Sequence, residues 1–451
     1  MIKRDGFGSS LGVLAAAVGS AVGLGNIWRF PYIVGRNGGG AFLIIYLAIV
    51  AIIGLPVMLG EFVIGREGRK DAIGSFKTLA PGKPWFMSGV LGVLAAFFIL
   101  SFYGVVAGWT LEYVMQAVSN NFVGKSGDQI TNLFVNFISD PVKPIMWQVL
   151  FMAVTALVVS TGVQKGIERF SKLMVPLLLV IIILLDIQAL RLPGGMEGIK
   201  FLFQPDFTKI NGKVILAALG HAFFSLSLGM GIMITYGSYI SDKENLGTLA
   251  LKVSLADTII ALLTGVAIFP AVFAFGVEPS SGAGLVFMSL PNVFQQMPGG
   301  YIFGIMFFVL LALAALTSTI SLLEVVVAYL VDSFQMKRKT ATFLSATVIT
   351  LIGMIASLSN GVLSHIDMFG QNIFDFIDNT TANYFLPTAA LISVIFLGWF
   401  YSKDKIKEQL SNNGEIAIPY YKLFNIIIKV VAPIGIVLVF LYQIGVFGKI
   451  D

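Results

Sequence analysis

The sequence contains no cysteine, which excludes a disulfide framework and any thiolate metal centre. Charge is scarce too: Asp, Glu, Lys and Arg make up 12% of the 451 residues, about half the share of a soluble chain. Long polar stretches are missing, because the loops between apolar runs reach only about 20–25 residues and leave no soluble domain over. Only two histidines occur. His221 and His365 read as packing or interface residues, and no nucleophile–base pair or metal cluster argues for an enzyme. What remains is apolar: 57% of the residues are hydrophobic and the mean hydropathy is +0.89. The expected class is an all-α integral membrane protein.

Eleven spans are expected near 9–35, 40–65, 86–118, 145–162, 168–190, 213–240, 247–276, 297–333, 340–358, 379–401 and 423–446. Residues 1–20 resemble a signal peptide, with Lys3 and Arg4 ahead of an apolar run, but that run continues past any cleavage site. With the N-terminus inside, the inward segments carry 19 of the 29 Lys and Arg residues. That asymmetry predicts a multi-pass protein of the inner (plasma) membrane with a cytoplasmic N-terminus, and it accounts for the net charge of +5 without nucleic acid as a partner.

The first span is interrupted at its centre. Residues 18–31 read VGSAVGLGNIWRFP, and each glycine weakens a helix by roughly 1 kcal/mol relative to alanine. A broken helix at membrane depth is tolerated only where its freed backbone groups face water or a ligand. The sixth span breaks in the same way at Gly229-Met230-Gly231, 206 residues after Gly23-Leu24-Gly25. Twin breaks five spans apart predict two five-helix repeats of opposite orientation, about 9–190 and 213–401, with an extra helix at about 423–446 in a single transporter domain spanning 1–451. In the eighth span Ala314, Thr317, Ser318, Ser321 and Leu322 share one helical face. Such hydroxyls join packed helices or supply oxygen to a small hard cation. Charges in or near the spans (Arg29, Glu61, Asp257, Glu324, Asp332, Asp375 and Asp378) are candidates for function. For Glu324 and Asp332 snorkelling to the inner interface is the simpler expectation, and for Asp375 and Asp378 a place at the outer rim.

GSAVGLGNIWRFP (19–31), NGGGAF (37–42) and FSLSLG (224–229) closely resemble the neurotransmitter:sodium symporter family, over spans one to ten. Eleven spans are similar to its bacterial branch, which includes leucine and multi-hydrophobic amino acid transporters. The resemblance implies the leucine-transporter-like fold and two sodium sites. One would use carbonyls of Gly19, Val22 and Ala314 with the hydroxyls of Thr317 and Ser318. The other would use Ala21, Asn26, Ser225 and Asp257, completed by the substrate carboxylate.

The substrate pocket implied by the family holds Ser20, Ala21, Leu24, Gly25, Ile99 and Tyr103 on one side. Phe224, Ser225, Ser227, Met230, Ser318 and Leu322 complete it, with Tyr103 and Phe224 as its cap. Arg29 with Asp378 resembles the outer gate, and Arg4 with Asp332 the inner one, near Phe7, Ser238 and Tyr239. Glu61 resembles the carboxylate that steadies the break in span six. Gly166 and Pro176, with nine residues between them, resemble a family pattern for unwinding span five during inward opening.

Departures from the family pattern shape the expected substrate. Ser225 replaces a common threonine and keeps the oxygen, Phe7 replaces a tryptophan, and Met230 beside two glycines makes room for a larger apolar group. The expectation is a sodium-coupled symporter of neutral, hydrophobic or aromatic L-amino acids, independent of chloride because Asp257 supplies the negative charge. Two rivals differ in kind: an amine or osmolyte carrier, which in this family places an aspartate at the position of Gly23, and a non-transporting amino-acid sensor, for which the sequence shows no signalling domain.

Overall fold

A computed structural model describes residues 5–276, 285–443 and 445–446. It is helical throughout the described elements. Nine helices among these residues are long and apolar enough to cross a membrane, and the bent first pair makes ten. The sixth span escapes a length test because only Gly212–Ser225 precedes its break. With Ile232–Gly237 beyond the break, it completes the eleven expected from the sequence.

Local chemistry sets both interrupted spans. In the first, Ser9 caps helix Ser10–Ala21 by accepting the Gly12 amide at 3.0 Å, as a serine N-cap does. The helix stops at Val22, whose φ and ψ of −80° and 100° are extended, and resumes at Gly25–Arg36 with its axis turned by 44°. In the sixth, Asn211 caps the first half by accepting the Val214 amide at 3.1 Å. The break between the halves contains Ser227, Gly229 and Gly231 at φ of 54°, 74° and 70°. At Gly229 a Cβ would also collide with the Leu386 carbonyl, so both conformation and space require glycine.

The two longest helices, Phe86–Val118 and Gly300–Phe334, pack against each other. The first half of span one lies on Arg169–Leu190, Leu246–Ala274 and Gly300–Phe334. Ile232–Gly237 packs on Leu55–Gly68; there a Cβ on Gly65 would strike the Ile234 carbonyl. Both broken spans are therefore enclosed by continuous ones, with their interruptions side by side: Ser227 Oγ donates to Ser20 O at 3.1 Å.

The end bearing the N-terminus is tied together by Arg66, which is 1% exposed. Its guanidinium donates to Gln409 Oε1 at 2.7 Å, to the Gln409 carbonyl, to Glu244 O at 2.7 Å and to Asn412 Oδ1 at 3.3 Å. One buried cation thus joins span two to the loops after spans six and ten.

Candidate functional site

Between the two breaks lies a cavity with about 330 Å³ of space among its lining atoms. Ten of the twelve residues expected from the sequence line it: Ser20, Ala21, Gly25, Ile99, Tyr103, Phe224, Ser227, Met230, Ser318 and Leu322, joined by Gly23 and Ile232. Leu24 and Ser225 do not. Leu24 lines the outer vestibule instead, and its amide donates to the Tyr103 hydroxyl at 2.9 Å. Ser225 is turned onto Asp257, 3.0 Å from both carboxylate oxygens.

Two oxygen-rich corners flank the cavity. At the first, Thr317 Oγ1 lies 3.3 Å from Val22 O and 3.0 Å from Ala314 O. Gly19 packs on the same threonine, where a Cβ would stand 3.4 Å from Thr317 Cβ. Ser318 Oγ instead donates to Ser20 O at 3.3 Å and belongs to the wall shared with the cavity. The break at Val22 is what turns the Ser20 and Val22 carbonyls out of the helix ladder.

At the second corner Asp257, fully buried, accepts Asn26 Nδ2 at 2.8 Å and the Tyr46 hydroxyl at 3.3 Å in addition to Ser225. Asn26 Oδ1 accepts the Gly23 amide at 3.2 Å, which links this corner to the break. Ala21 lines the cavity beside it without a side-chain bond to the set. Among the described residues no group of three His, Cys, Asp or Glu gathers anywhere. The donors at both corners are hydroxyl, amide and carbonyl oxygens with one carboxylate. Such a set suits a hard cation of low charge.

Above the cavity an outer vestibule, with about 1050 Å³ of space, is lined by Trp28, Arg29, Tyr32, Phe102, Asp375 and Asp378 among others. Tyr103 and Phe224 border both spaces and form the partition between them. The expected Arg29–Asp378 ion pair is not made in this structure. The Arg29 guanidinium stands over the Phe224 ring, 4.5 Å from its centroid, and both gate residues line the vestibule. Asp375 and Asp378 lie on helix Ile373–Thr380 at the start of the tenth span, which begins earlier than hydropathy suggested because Asp375, Asp378, Asn379 and Thr380 lower the hydropathy of its first two turns.

The side bearing the N-terminus is closed. Phe7 meets Tyr236 and Tyr239 edge to face at 5.6 and 6.1 Å. Arg4 lies outside the described residues; Asp332 accepts the Asp71 amide at 2.7 Å, and Ser238 is buried close by. Glu324 corrects the expectation of snorkelling. It is fully buried, paired with Arg338 at 2.5 Å, and accepts the Tyr239 hydroxyl at 2.7 Å. A paired carboxylate can stay inside where a lone one could not.

Glu168, also unforeseen, holds the N-terminal segment. It accepts the Gly8 amide at 2.6 Å, Ser9 Oγ at 2.8 Å and Lys172 Nζ at 2.5 Å. Span five is wound throughout Gly166–Pro176. Glu61 Oε1 accepts the Gly229 amide at 2.8 Å. His221 packs against the rings of Phe30 and Tyr46, which also touch each other. Asp186, buried in span five with Oδ1 lacking a hydrogen-bond partner among the described residues, escaped the sequence reading, and no role for it follows.

Two interrupted helices meeting at a cavity flanked by oxygen-rich corners, with a vestibule beyond it on one side and packed rings on the other, define a secondary transporter. The profile of the sodium:neurotransmitter symporter family matches residues 4–136 and 136–450, and the chain belongs to that family. An uncharacterised sodium-dependent transporter of Bacillus subtilis, YhdH, is 42% identical over 440 residues, covering 98% of both chains. Another from Methanocaldococcus jannaschii is 34% identical, covering 96% of this chain and 89% of that one. Among solved structures, MhsT in complex with L-phenylalanine is similar at a TM-score of 0.90 and 47% identity, covering 98% of this chain and 100% of that one. The protein is therefore a multi-pass, sodium-dependent transporter with the leucine-transporter-like fold, and not an enzyme.

Proposed function

We propose that the chain carries neutral, hydrophobic or aromatic L-amino acids inward together with two sodium ions, by alternating access and without chloride. The carrying observation is what stands around Gly23. Its Cα faces Ser318 Oγ and the Tyr103 hydroxyl so closely that any side chain would collide with both, and the Asn26–Ser225–Asp257 corner adjoins it through the Gly23 amide. No acidic side chain reaches the cavity from this break, so a substrate carboxylate is needed to complete the ion corner. The amides at the start of the outer half-helix favour the same negative group. The walls made by Ile99, Phe224, Met230 and Leu322 suit an apolar side chain, and the L-phenylalanine seen with MhsT supports that class. In this reading the Gly19–Thr317 corner holds the second ion, the repeats run about 9–190 and 213–401, and the basic loops lie in the cytoplasm of an inner-membrane protein.

The test is uptake in proteoliposomes under a sodium gradient. Phenylalanine and tryptophan should compete, and tyramine and tryptamine should compete two or more orders of magnitude more weakly, because a site built around a carboxylate rejects analogues lacking it. Amines as potent as their parent amino acids would favour the amine carrier.

Inward opening, in this reading, begins where Glu168 grips residues 8 and 9. Glu168→Gln weakens three charge-assisted hydrogen bonds, one of them an ion pair. A chain without cysteine allows a single reporter: Ala17→Cys, on a residue fully buried here. In the Glu168→Gln background this cysteine should react with a cytoplasmic thiol reagent roughly tenfold faster, a shift of about 1.4 kcal/mol in the opening equilibrium. Unchanged reactivity would remove the latch from the mechanism.

A further inference from the structure

At the end of the molecule opposite the N-terminus lies an open cleft, with about 1140 Å³ of space, that the transport site does not use. Three cations from three different elements line it. Arg36 closes the second half of span one, Lys209 ends the short turn Phe207–Lys209, and Lys213 stands in the first turn of helix Gly212–Ser225. None of the described residues lining the cleft is acidic.

Local structure places these charges. Gly38, at a φ of 89°, lays bare backbone against the Lys209 stem: a Cβ there would stand 2.9 Å from Lys209 Cδ. Asp206, the acid nearest to Lys209 in sequence, is engaged within its own turn, where Oδ1 accepts the Thr208 amide at 3.1 Å and the Thr208 hydroxyl at 2.5 Å. Arg36 Nη1 donates to the Tyr32 hydroxyl at 2.8 Å, a neutral partner that leaves its charge in place. Asn211, the N-cap of helix Gly212–Ser225, lines the same cleft, so the positive end of that helix adds to the three cations.

Like charges around one space are unfavourable unless an anion lies among them. The surroundings say which kind. Tyr442 lines the cleft from the last turn of span eleven. Leu438 and Ile434, one and two turns earlier on the same helical face, are 42% and 55% exposed. An apolar strip thus runs from the cleft toward the membrane centre, headed by a tyrosine as at a membrane interface. A small free anion would need the cations but not the strip.

We propose that Arg36, Lys209 and Lys213 bind the phosphate of an anionic phospholipid whose acyl chain follows Leu438 and Ile434. The site goes beyond the transport reading, on which its occupancy does not depend. Its consequence is mechanical. Arg36 ends one half-helix and Lys213 stands near the start of another, and these are the halves that carry Arg29 and Phe224 to the vestibule. A headgroup held by both ties the two half-helices together at their tips.

The test uses the full-length protein, delipidated in detergent and titrated with dioleoylphosphatidylglycerol or dioleoylphosphatidylcholine under native mass spectrometry. The first phosphatidylglycerol should bind at least about tenfold more tightly than the first phosphatidylcholine, since each basic residue near an anionic headgroup contributes appreciably. Arg36→Gln with Lys209→Gln should remove most of that preference. Lys209→Gln alone, at an exposed position, should remove part of it, and Lys209→Arg should keep it. Equal binding of both lipids by the wild type would overturn the proposal, as would a preference unchanged in the double variant. Displacement of phosphatidylglycerol by inorganic phosphate, but not by chloride at equal ionic strength, would also overturn it and mark a free-anion site. Because the readout is lipid binding, its failure is distinct from any failure of amino-acid uptake.

Discussion

Asparagine in place of Asp257 is expected to abolish sodium-driven uptake in chloride-free medium while leaving the fold intact. The substitution is isosteric, and an amide can still bond to Asn26, Ser225 and Tyr46, which now surround the carboxylate at 2.8–3.3 Å. Only the charge is lost. Two unit charges about 4 Å apart interact by about 4 kcal/mol at an effective dielectric of 20, and two sodium ions with a zwitterion would otherwise leave a net positive site within the membrane. Sodium affinity should fall by up to about three orders of magnitude. The wild type should transport equally in chloride and gluconate, whereas Asp257→Asn should be inactive in gluconate. Wild-type uptake that requires chloride would end the idea of a built-in countercharge. A fully active variant in gluconate would show that the charge is not needed.

Alanine at Gly23 should be nearly as severe for a different reason. The added Cβ would overlap Ser318 Oγ and lie 2.8 Å from the Tyr103 hydroxyl. Either group can rotate, so the fold should survive with the 1–3 kcal/mol cost of modest overpacking, about a few degrees in melting temperature. The cavity, however, loses the space beside the second ion corner in which the substrate carboxylate would sit. Equilibrium binding of radiolabelled phenylalanine should weaken at least about 100-fold, with the protein still monodisperse. Gly25→Ala is the informative comparison. There a Cβ meets only the Phe224 ring edge at 3.4 Å, an ordinary contact, and the loss should be several-fold at most. Equal losses at both positions would mean that the whole break, rather than its face at Gly23, was disturbed.

These two residues also mark how far sequence alone reaches. The breaks were legible because glycine announces itself in an apolar run, and the hydroxyl face of span eight because its spacing is helical. Asp257 stood out as an acid too deep to snorkel. What could not be read was who holds each charge. Tyr46 is 211 residues from Asp257 and Gly8 is 160 from Glu168, and nothing local in either segment signals the other. Glu324 was misjudged for the same reason: its partner Arg338 is on the following helix, across a turn whose geometry decides whether the carboxylate faces lipid or a guanidinium. Leu24 illustrates a finer limit. It sits in the motif that lines the cavity, but the bend at Val22–Leu24 rotates its side chain into the vestibule and leaves only its amide facing Tyr103.

The paired interruptions have an implication for what a bound ion does. In an ordinary site a ligand is added to a finished protein. Here the carbonyls of residues 19, 20 and 22 and the amides near 23 and 229 are groups that an unbroken helix would have satisfied within itself, and in their place stand a threonine, a serine, a tyrosine and the carboxylate of Glu61. A cation and an amino acid arriving between the halves would take up the bonding that the missing turns left over, so that cargo serves as secondary structure. In the proposed reading, loading would tighten the transporter and release would loosen it.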